Sequence, residues 1–245
     1  MARRKPPATK PEPVVPEPDV TDAPEYCQAT AVIDRTCSLL EKLEGLHDGD
    51  PSTKDIFEIA ADPAGIATVG FGHALFNPDT GRPLYLSRHE DRRIAYEMYP
   101  EGVTLGEARA ILRGDVVARY ASARQDATFA AATEDEQVAL LSFIFNIGVH
   151  NYRKSTLRVL IEAGQVECHA SDFATLYKQM VSKLPPLEID EAFTAWSRTT
   201  LADGRRTPVE GLFTRRYIEF LIFTGTPEDE AVEAGRKALK EFRHG

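Results

Sequence analysis

Carboxylates beside a glycine-rich segment are the feature of this sequence best suited to chemistry. Glu44 stands at the expected end of a helix, Asp62 opens a turn, and Thr68 begins the segment Thr68-Val-Gly-Phe-Gly-His73. Two carboxyl groups that face one cleft suit acid-catalysed cleavage of a glycosidic bond. One protonates the leaving oxygen, and the other handles the oxocarbenium charge or the attacking water.

Each of these residues also has an ordinary structural interpretation. Glu44 fits a surface position at a helix end, although the helix dipole disfavours an anion there. Asp is favoured at the first position of a turn such as Asp62-Pro-Ala-Gly65, and Thr68 suits a strand. The sequence holds 38 acidic residues, so carboxylate pairs are common. It contains no GxSxG, GxxxxGK[ST], GxGxxG or HExxH pattern, which removes the main support for α/β-hydrolase, nucleotide-binding and zincin chemistry.

The elements that must position these residues are mostly helical. Apolar residues recur at helical spacing from about Ala29 to Glu44, and Gly45 suits the end of that helix. The segments 56–61 and 66–71 are typical of β-strands, and the turn between them makes a small hairpin. Thr104 and Thr133 open capping boxes, and a polar connection covers residues 77–102. Further helices are predicted near 105–122, 134–147, 156–163, 167–182, 189–197, 209–223 and 227–242. The fold class is therefore α+β, mainly helical, with its only sheet near the N-terminal end.

Composition limits the classes of partner and compartment. The net charge of −9 argues against nucleic acid as the main ligand. No apolar run is long enough for an integral membrane segment, and prolines stand where the apolar core of a signal peptide would lie. Cys27, Cys37 and Cys168 are widely spaced, which indicates reduced, buried thiols and synthesis in a reducing cytosol. No metal-ligand cluster is visible.

Three segments are expected along the chain. Residues 1–28 are rich in proline and charge, which predicts a disordered tail. Residues 29–225 form the predicted catalytic domain, and residues 226–245 a C-terminal helical extension.

Four blocks in a fixed order carry a resemblance to a known family. They are Glu44-Gly45; Asp62-x5-Thr68-Val-Gly-Phe-Gly-His73; Ser142-Phe-Ile-Phe-Asn-Ile-Gly148 with Tyr152-x2-Ser-Thr-Leu157; and Trp196 with Gly211-Leu-Phe-Thr-Arg-Arg216 and Glu219. Together they resemble the phage-type lysozymes, the glycoside hydrolases that include T-even phage lysozyme and the lambdoid endolysins. The second block is the most specific of the four.

The resemblance implies a fold, a reaction and a set of site residues. The fold would have a small β-hairpin lobe, a larger helical lobe and a cleft between them. Glu44 would be the general acid, Asp62 the second carboxylate, and Thr68 would help to hold the nucleophilic water. Hydrolysis would invert the anomeric carbon and need no cofactor. Gly72, Phe145 and Thr156 would contact substrate, although Phe145 fits a core residue equally well.

Two insertions depart from the family pattern. The gap between Glu44 and Asp62 is about twice the usual length, so Asp48, Asp50 and Asp55 compete with Asp62 for its role. Asp62 is favoured because its six-residue step to Thr68 is intact. A second insertion follows His73 and runs to about Pro100.

The resemblance also implies a biological setting. The substrate would be bacterial peptidoglycan, cut at the β-1,4 bond between N-acetylmuramic acid and N-acetylglucosamine. A monomeric phage endolysin, made in the host cytoplasm without a signal peptide and acting at the wall after release, is the leading hypothesis. An exported antibacterial effector with the same domain and a non-catalytic peptidoglycan-binding module are the alternatives.

Overall fold

A computed structural model describes residues 23–50, 55–165, 172–182, 185–200 and 205–244 of the chain. Cys168 and most of the predicted tail lie outside the described residues. The helices are α1 (Ala23–Glu44), α2 (His89–Met98), α3 (Leu105–Ala123), α4 (Ala127–Ala130), α5 (Glu134–Ile147), α6 (Val149–Arg153), α7 (Thr156–Glu162), α8 (Phe173–Ser182), α9 (Ile189–Thr194), α10 (Glu210–Phe223) and α11 (Glu228–His244). The strands are β1 (Ala60–Ala61), β2 (Ala67–Val69), β3 (His73–Ala74), β4 (Arg198–Thr200) and β5 (Arg206–Pro208).

Helix α1 begins earlier than predicted. The sequence placed its start near Ala29, whereas the helix begins at Ala23, so the last six residues of the predicted tail are helical. Val32, Leu39 and Leu40 are fully buried, which confirms the apolar face inferred from the helical spacing. The helix ends at Glu44 as predicted, and Gly45 follows with a φ of +67°.

The predicted hairpin forms the first part of a small antiparallel sheet with the order β1-β2-β3. Asp62 begins its turn: the amide of Gly65 donates to the Asp62 carbonyl at 2.8 Å. The strands are shorter than predicted. Two residue pairs join β1 to β2, Ala60 with Thr68 and Ala61 with Ala67. Strand β3 was not predicted; it returns along β2 and pairs His73 with Val69.

Capping boxes start two of the helices that frame the core. The hydroxyls of Thr104 and Thr133 accept from the amides of Glu107 and Glu136, and each glutamate accepts from the amide of its threonine. These bonds satisfy amides that have no partner inside the helix, so α3 and α5 begin where the sequence predicted.

Two predictions about regular structure are wrong. Residues 77–102 were expected to be irregular, but they contain α2. Its buried residues are Asp91 and Ala95 and the rest of its surface is mostly polar, so its sequence shows no clear hydrophobic periodicity. Asp91 accepts two hydrogen bonds from Arg82 and one from the amide of Tyr85, which anchors the insertion. The N-terminal sheet is also not alone, since β4 and β5 form a second, polar antiparallel pair.

The core lies between α1, α3, α5 and α10, and α11 extends it. Phe173, Leu176, Met180 and Phe213 form a second apolar cluster, which Leu239 and Phe242 of α11 cover. Gly235 permits this close packing, because a Cβ there would lie 2.4 Å from a side-chain carbon of Ile218. Within the described residues, no helix combines the length and apolarity of a membrane span.

Candidate active site

Glu44 projects from the last turn of α1 with its two carboxylate oxygens in different surroundings. Oε1 accepts a hydrogen bond from Nη1 of Arg215, which lies on α10. Oε2 lies 4.0 Å from the position that a Cβ on Gly72 would occupy. The side chain retains 20% of its exposure. One oxygen is therefore held by the helical lobe, while the other faces the turn between β2 and β3.

Arg215 is itself fixed from behind by a buried network. Its Nε donates to Glu219 at 3.0 Å and its Nη2 to the carbonyl of Ser142 at 3.1 Å. The Ser142 hydroxyl donates to Glu219 at 2.7 Å, and Arg216 donates to the other oxygen of Glu219. Each group is buried with charge-assisted partners, so the Arg215 guanidinium has little freedom to move away from Glu44.

Burial and charge act in opposite directions on the two arginines. Burial lowers the pKa of Arg215, but the carboxylates of Glu219 and Glu44 outweigh it, so the pKa lies above its usual value. Burial lowers the pKa of Arg216 to about 10, because Glu219 offsets the desolvation only in part. Arg215 is therefore positively charged throughout the pH range in which the Glu44 carboxyl could donate or accept a proton.

Asp62 is held by its own turn. Its Oδ1 accepts from the amides of Ala64 and Ile66, each at 2.8 Å. The second oxygen, Oδ2, has no hydrogen bond within the described part of the chain. Asp62 lies at the β1–β2 end of strand β2, whereas Gly72 and Glu44 lie at the β2–β3 end.

The competing aspartates have other surroundings. Asp48 caps its own loop, because its Oδ1 accepts from the amides of Asp50 and Glu58 at 3.1 and 3.3 Å. Asp55 is exposed and has a φ of +63°.

Thr68 lies on β2 between the two ends of the sheet. It is buried, with 3% of its surface exposed, and its hydroxyl donates to the carbonyl of Ala60 at 3.1 Å. The hydroxyl therefore gives its proton to backbone and not, in this structure, to a carboxylate. It keeps its capacity to accept a hydrogen bond from water.

Of the three predicted substrate contacts, one lies beside Glu44 and two have other surroundings. Gly72 lies beside Glu44, as described above. Phe145, near the end of α5, is half-buried, and the guanidinium of Arg119 lies 4.3 Å from the centre of its ring. Thr156 is exposed in the first turn of α7, which packs against α4, α6 and α9. The structure thus brings Gly72 to Glu44 and gives no contact that ties Thr156 to them.

His73 connects the sheet to the helical part of the molecule. Its Nδ1 lies 2.8 Å from Oδ2 of Asp115 on α3. Asp115 in turn lies 3.6 Å from the guanidinium of Arg119, the residue that covers Phe145. Two polar contacts and one cation–π contact therefore link β3, α3 and the end of α5.

Two site residues were missed by the sequence analysis. Arg215 stood in the fourth sequence block, but nothing local indicated that it would meet Glu44, 171 positions earlier. His47 stood in the insertion after Glu44, and its Nε2 lies 3.7 Å from the Cβ position of Gly72. The sequence signal that could have identified His47 was its position three residues after Glu44, the candidate acid.

The two cysteines that the structure describes lie on helix α1. Cys27 and Cys37 are free; Cys27 is exposed, contrary to the prediction of buried thiols, because it faces outward near the start of α1. Cys37 is half-buried, and burial raises its pKa to about 11. Across the described ranges, no cluster of His, Cys, Asp and Glu could hold a metal ion.

The helix-terminal glutamate, the three-stranded sheet beside it and the helical lobe behind it define the class: a lysozyme-like fold. The sequence model of the phage lysozyme family matches residues 57–189, more than half of the chain. The protein therefore belongs to the phage lysozyme family. The matched range includes Asp62, Thr68, Gly72, Phe145 and Thr156, while Glu44 and Arg215 lie outside it.

The chain is also similar to solved structures. The endolysin of Escherichia coli phage FAHEc1 is 23% identical, with a TM-score of 0.51 over 78% of this chain and 91% of that one. The muramidase domain of SpmX from Asticaccaulis excentricus is 19% identical, with a TM-score of 0.49 over 78% and 95% of the two chains. P22 lysozyme is 18% identical, with a TM-score of 0.45 and the same coverages. No curated protein sequence matches the chain significantly.

Proposed function

We propose that the protein is a muramidase that hydrolyses the β-1,4 bond between N-acetylmuramic acid and N-acetylglucosamine in bacterial peptidoglycan. The observation that carries the proposal is the environment of Glu44. Arg215 holds Oε1, and Oε2 lies 4.0 Å from the position that a Cβ on the half-buried Gly72 would occupy. A general acid needs one oxygen that can carry a proton to the leaving group and a support that fixes its direction.

In this mechanism, Glu44 protonates the glycosidic oxygen and Asp62 activates the attacking water. Asp62 has one oxygen bound by its turn and Oδ2 open to a water molecule. The Thr68 hydroxyl donates to Ala60, so it can orient the same water only by accepting a hydrogen bond from it. Attack by water on the face opposite the leaving group inverts the anomeric carbon.

The remaining substrate contacts extend from this centre. Gly72 admits the sugar close to the backbone, because a side chain there would fill the space in front of Glu44. Phe145 offers an aromatic face that Arg119 covers in part. Thr156 is the third proposed contact, on helix α7, which packs against α4, α6 and α9.

The setting that suits this activity is lysis at the end of a phage cycle. An endolysin made in the host cytoplasm, monomeric and released to the wall, fits the family. The same catalytic domain would also serve an exported antibacterial effector, and the proline-rich segment before α1 is the feature that favours this second setting.

Digestion of purified peptidoglycan tests the reaction. Wild-type protein should release fragments with N-acetylmuramic acid reducing ends, identified by mass spectrometry, and Glu44→Gln should reduce the rate at least about 1,000-fold. Glu41→Gln is the matched control: Glu41 lies one turn earlier on α1 and pairs with Arg109 at the surface. NMR of the first product should show inversion at the anomeric carbon.

The other outcomes have distinct meanings. Anhydro-muramic ends would indicate a lytic transglycosylase. Binding of peptidoglycan without cleavage by either protein would indicate a wall-binding module that lacks catalysis.

A further inference from the structure

His47 is placed beside the candidate acid by the loop that follows α1. A single point, the position that a Cβ on Gly72 would occupy, lies 3.7 Å from His47 Nε2 and 4.0 Å from Glu44 Oε2. The Cδ2 atom of His47 also lies 4.0 Å from that point. The imidazole therefore presents its Nε2–Cδ2 edge to the same small space that the open oxygen of Glu44 faces.

The backbone of His47 is fixed while its side chain is uncommitted. Its amide donates to the carbonyl of Gly70 at 2.8 Å, which joins the loop to the end of β2 as an isolated bridge. The side chain is half-buried and makes no hydrogen bond or ion pair with any residue the structure describes. A polar ring with a fixed backbone and no partner among the described residues is available to a ligand.

The space between the two side chains exists because residue 72 is glycine. Gly72 has a φ of +81°, a conformation that disfavours any side chain. A methyl group there would come into van der Waals contact with both His47 and Glu44 and would occupy the space between them. Gly72 thus serves the backbone turn and also leaves a gap bordered by a carboxylate oxygen and an imidazole nitrogen.

We propose that His47 is a further substrate-contacting residue, which hydrogen-bonds the sugar next to the scissile bond while Glu44 addresses the glycosidic oxygen. The inference rests on the proposed muramidase function. A neutral imidazole can donate from one nitrogen and accept at the other, and the hydroxyl and acetamido groups of the substrate do both. Arg215 occupies Oε1 of Glu44, so the sugar must approach on the Oε2 side, where His47 stands.

Binding measurements without turnover test this contact. In the Glu44→Gln background, a peptidoglycan-derived tetrasaccharide of alternating N-acetylglucosamine and N-acetylmuramic acid is titrated by calorimetry. Adding His47→Ala should weaken binding about tenfold, the effect of losing one well-formed hydrogen bond. Adding His47→Gln instead should restore most of the affinity, because the glutamine amide nitrogen can occupy the place of Nε2.

Kinetic and stability controls separate this role from a structural one. With Glu44 intact, His47→Ala should raise KM more than it lowers kcat and should leave the thermal midpoint within about 2 °C of wild type. His244→Ala, a change of an exposed histidine in the last turn of α11, should alter neither binding nor KM.

Two results would overturn the inference. One is tetrasaccharide affinity that His47→Ala changes less than twofold. The other is an equal loss of affinity in the alanine and glutamine variants together with a lower thermal midpoint. Failure of the underlying function looks different, because wild-type protein would then release no muramic acid reducing ends.

Discussion

The two candidate catalytic carboxylates are held in opposite ways. Glu44 depends on Arg215, which lies 171 positions away on α10 and is fixed by Glu219 and Ser142. Asp62 depends on amides two and four residues ahead of it. The same chemical group is therefore positioned once by the tertiary core and once by a local turn.

This difference predicts which substitutions should displace each carboxylate and how far each should destabilise the protein. A change in the buried network should displace Glu44 and destabilise the whole domain, because it leaves charges without partners in the core. A change at the Asp62 turn should act on the sheet alone, since its bonds are exposed or half-buried and lie within five residues.

The largest effect on the free energy of unfolding should come from Arg215→Met. Removal of the guanidinium leaves Glu219 paired with Arg216 but without its second arginine and releases Glu44, so the free energy of unfolding should fall by about 3–5 kcal/mol. Activity on peptidoglycan should fall about 100-fold in the protein that remains folded. Urea unfolding and turbidity assays measure both.

Arg243→Met is the matched control for that change. Arg243 pairs with Glu210 at the surface, where an ion pair contributes about 0–1 kcal/mol. Equal destabilisation by the two variants would contradict the view that the core positions Glu44.

A smaller effect on stability is expected at Asp62, where two substitutions separate the turn from the chemistry. Asp62→Ala removes an acceptor for two amides and should cost about 1–2 kcal/mol, whereas Asp62→Asn keeps the acceptor and should be close to wild type in stability. Both should lose most activity, because neither can activate water. Full activity of Asp62→Asn would move the role of second carboxylate to Asp48, Asp50 or Asp55.

Thr68→Val tests the residue that lies between the two carboxylates. Loss of the hydrogen bond to Ala60 should cost about 1 kcal/mol, and loss of the acceptor for water should lower kcat roughly tenfold with little change in KM. Thr36→Val makes a good comparison, since the Thr36 hydroxyl donates to the carbonyl of Val32 at 2.7 Å inside α1. Equal loss of kcat in the two variants would mean that Thr68 acts through stability alone.

The smallest effect on activity is expected from Gly65→Ala. Gly65 closes the Asp62 turn with a φ of +82°, a conformation that costs an alanine about 1 kcal/mol. The turn should still form, so activity should change less than about threefold while the thermal midpoint falls by about 2–4 °C. A loss of activity as large as that of Asp62→Ala would show that the carboxylate is positioned by more than its turn.

The same contrast explains what the sequence could predict. The Asp62 turn, the end of α1 at Glu44 and the capping boxes depend on neighbours within a few positions, and all of these predictions are confirmed. The partnership of Glu44 with Arg215 depends on how two helices pack, so no local pattern could reveal it.

Helix α2 and the β4–β5 pair, which the sequence analysis missed, follow the same principle. Helix α2 and the β4–β5 pair carry polar residues on most of their surface, which hides the periodicity that identifies helices and strands. The buried Asp91 of α2 pairs with Arg82, a residue outside the helix, so this contact anchors α2. Those hydrogen bonds also hold the pKa of Asp91 below its ordinary value.

The separation between Glu44 and Arg215 also sets an order of events during synthesis. A ribosome that adds about 5–20 residues per second completes α1 roughly 10–30 s before it reaches Arg215. Until α10 has emerged and packed, the Glu44 carboxylate lacks the support that directs it. We expect nascent chains to be inert toward the wall until α10 has been translated and has packed against the rest of the domain.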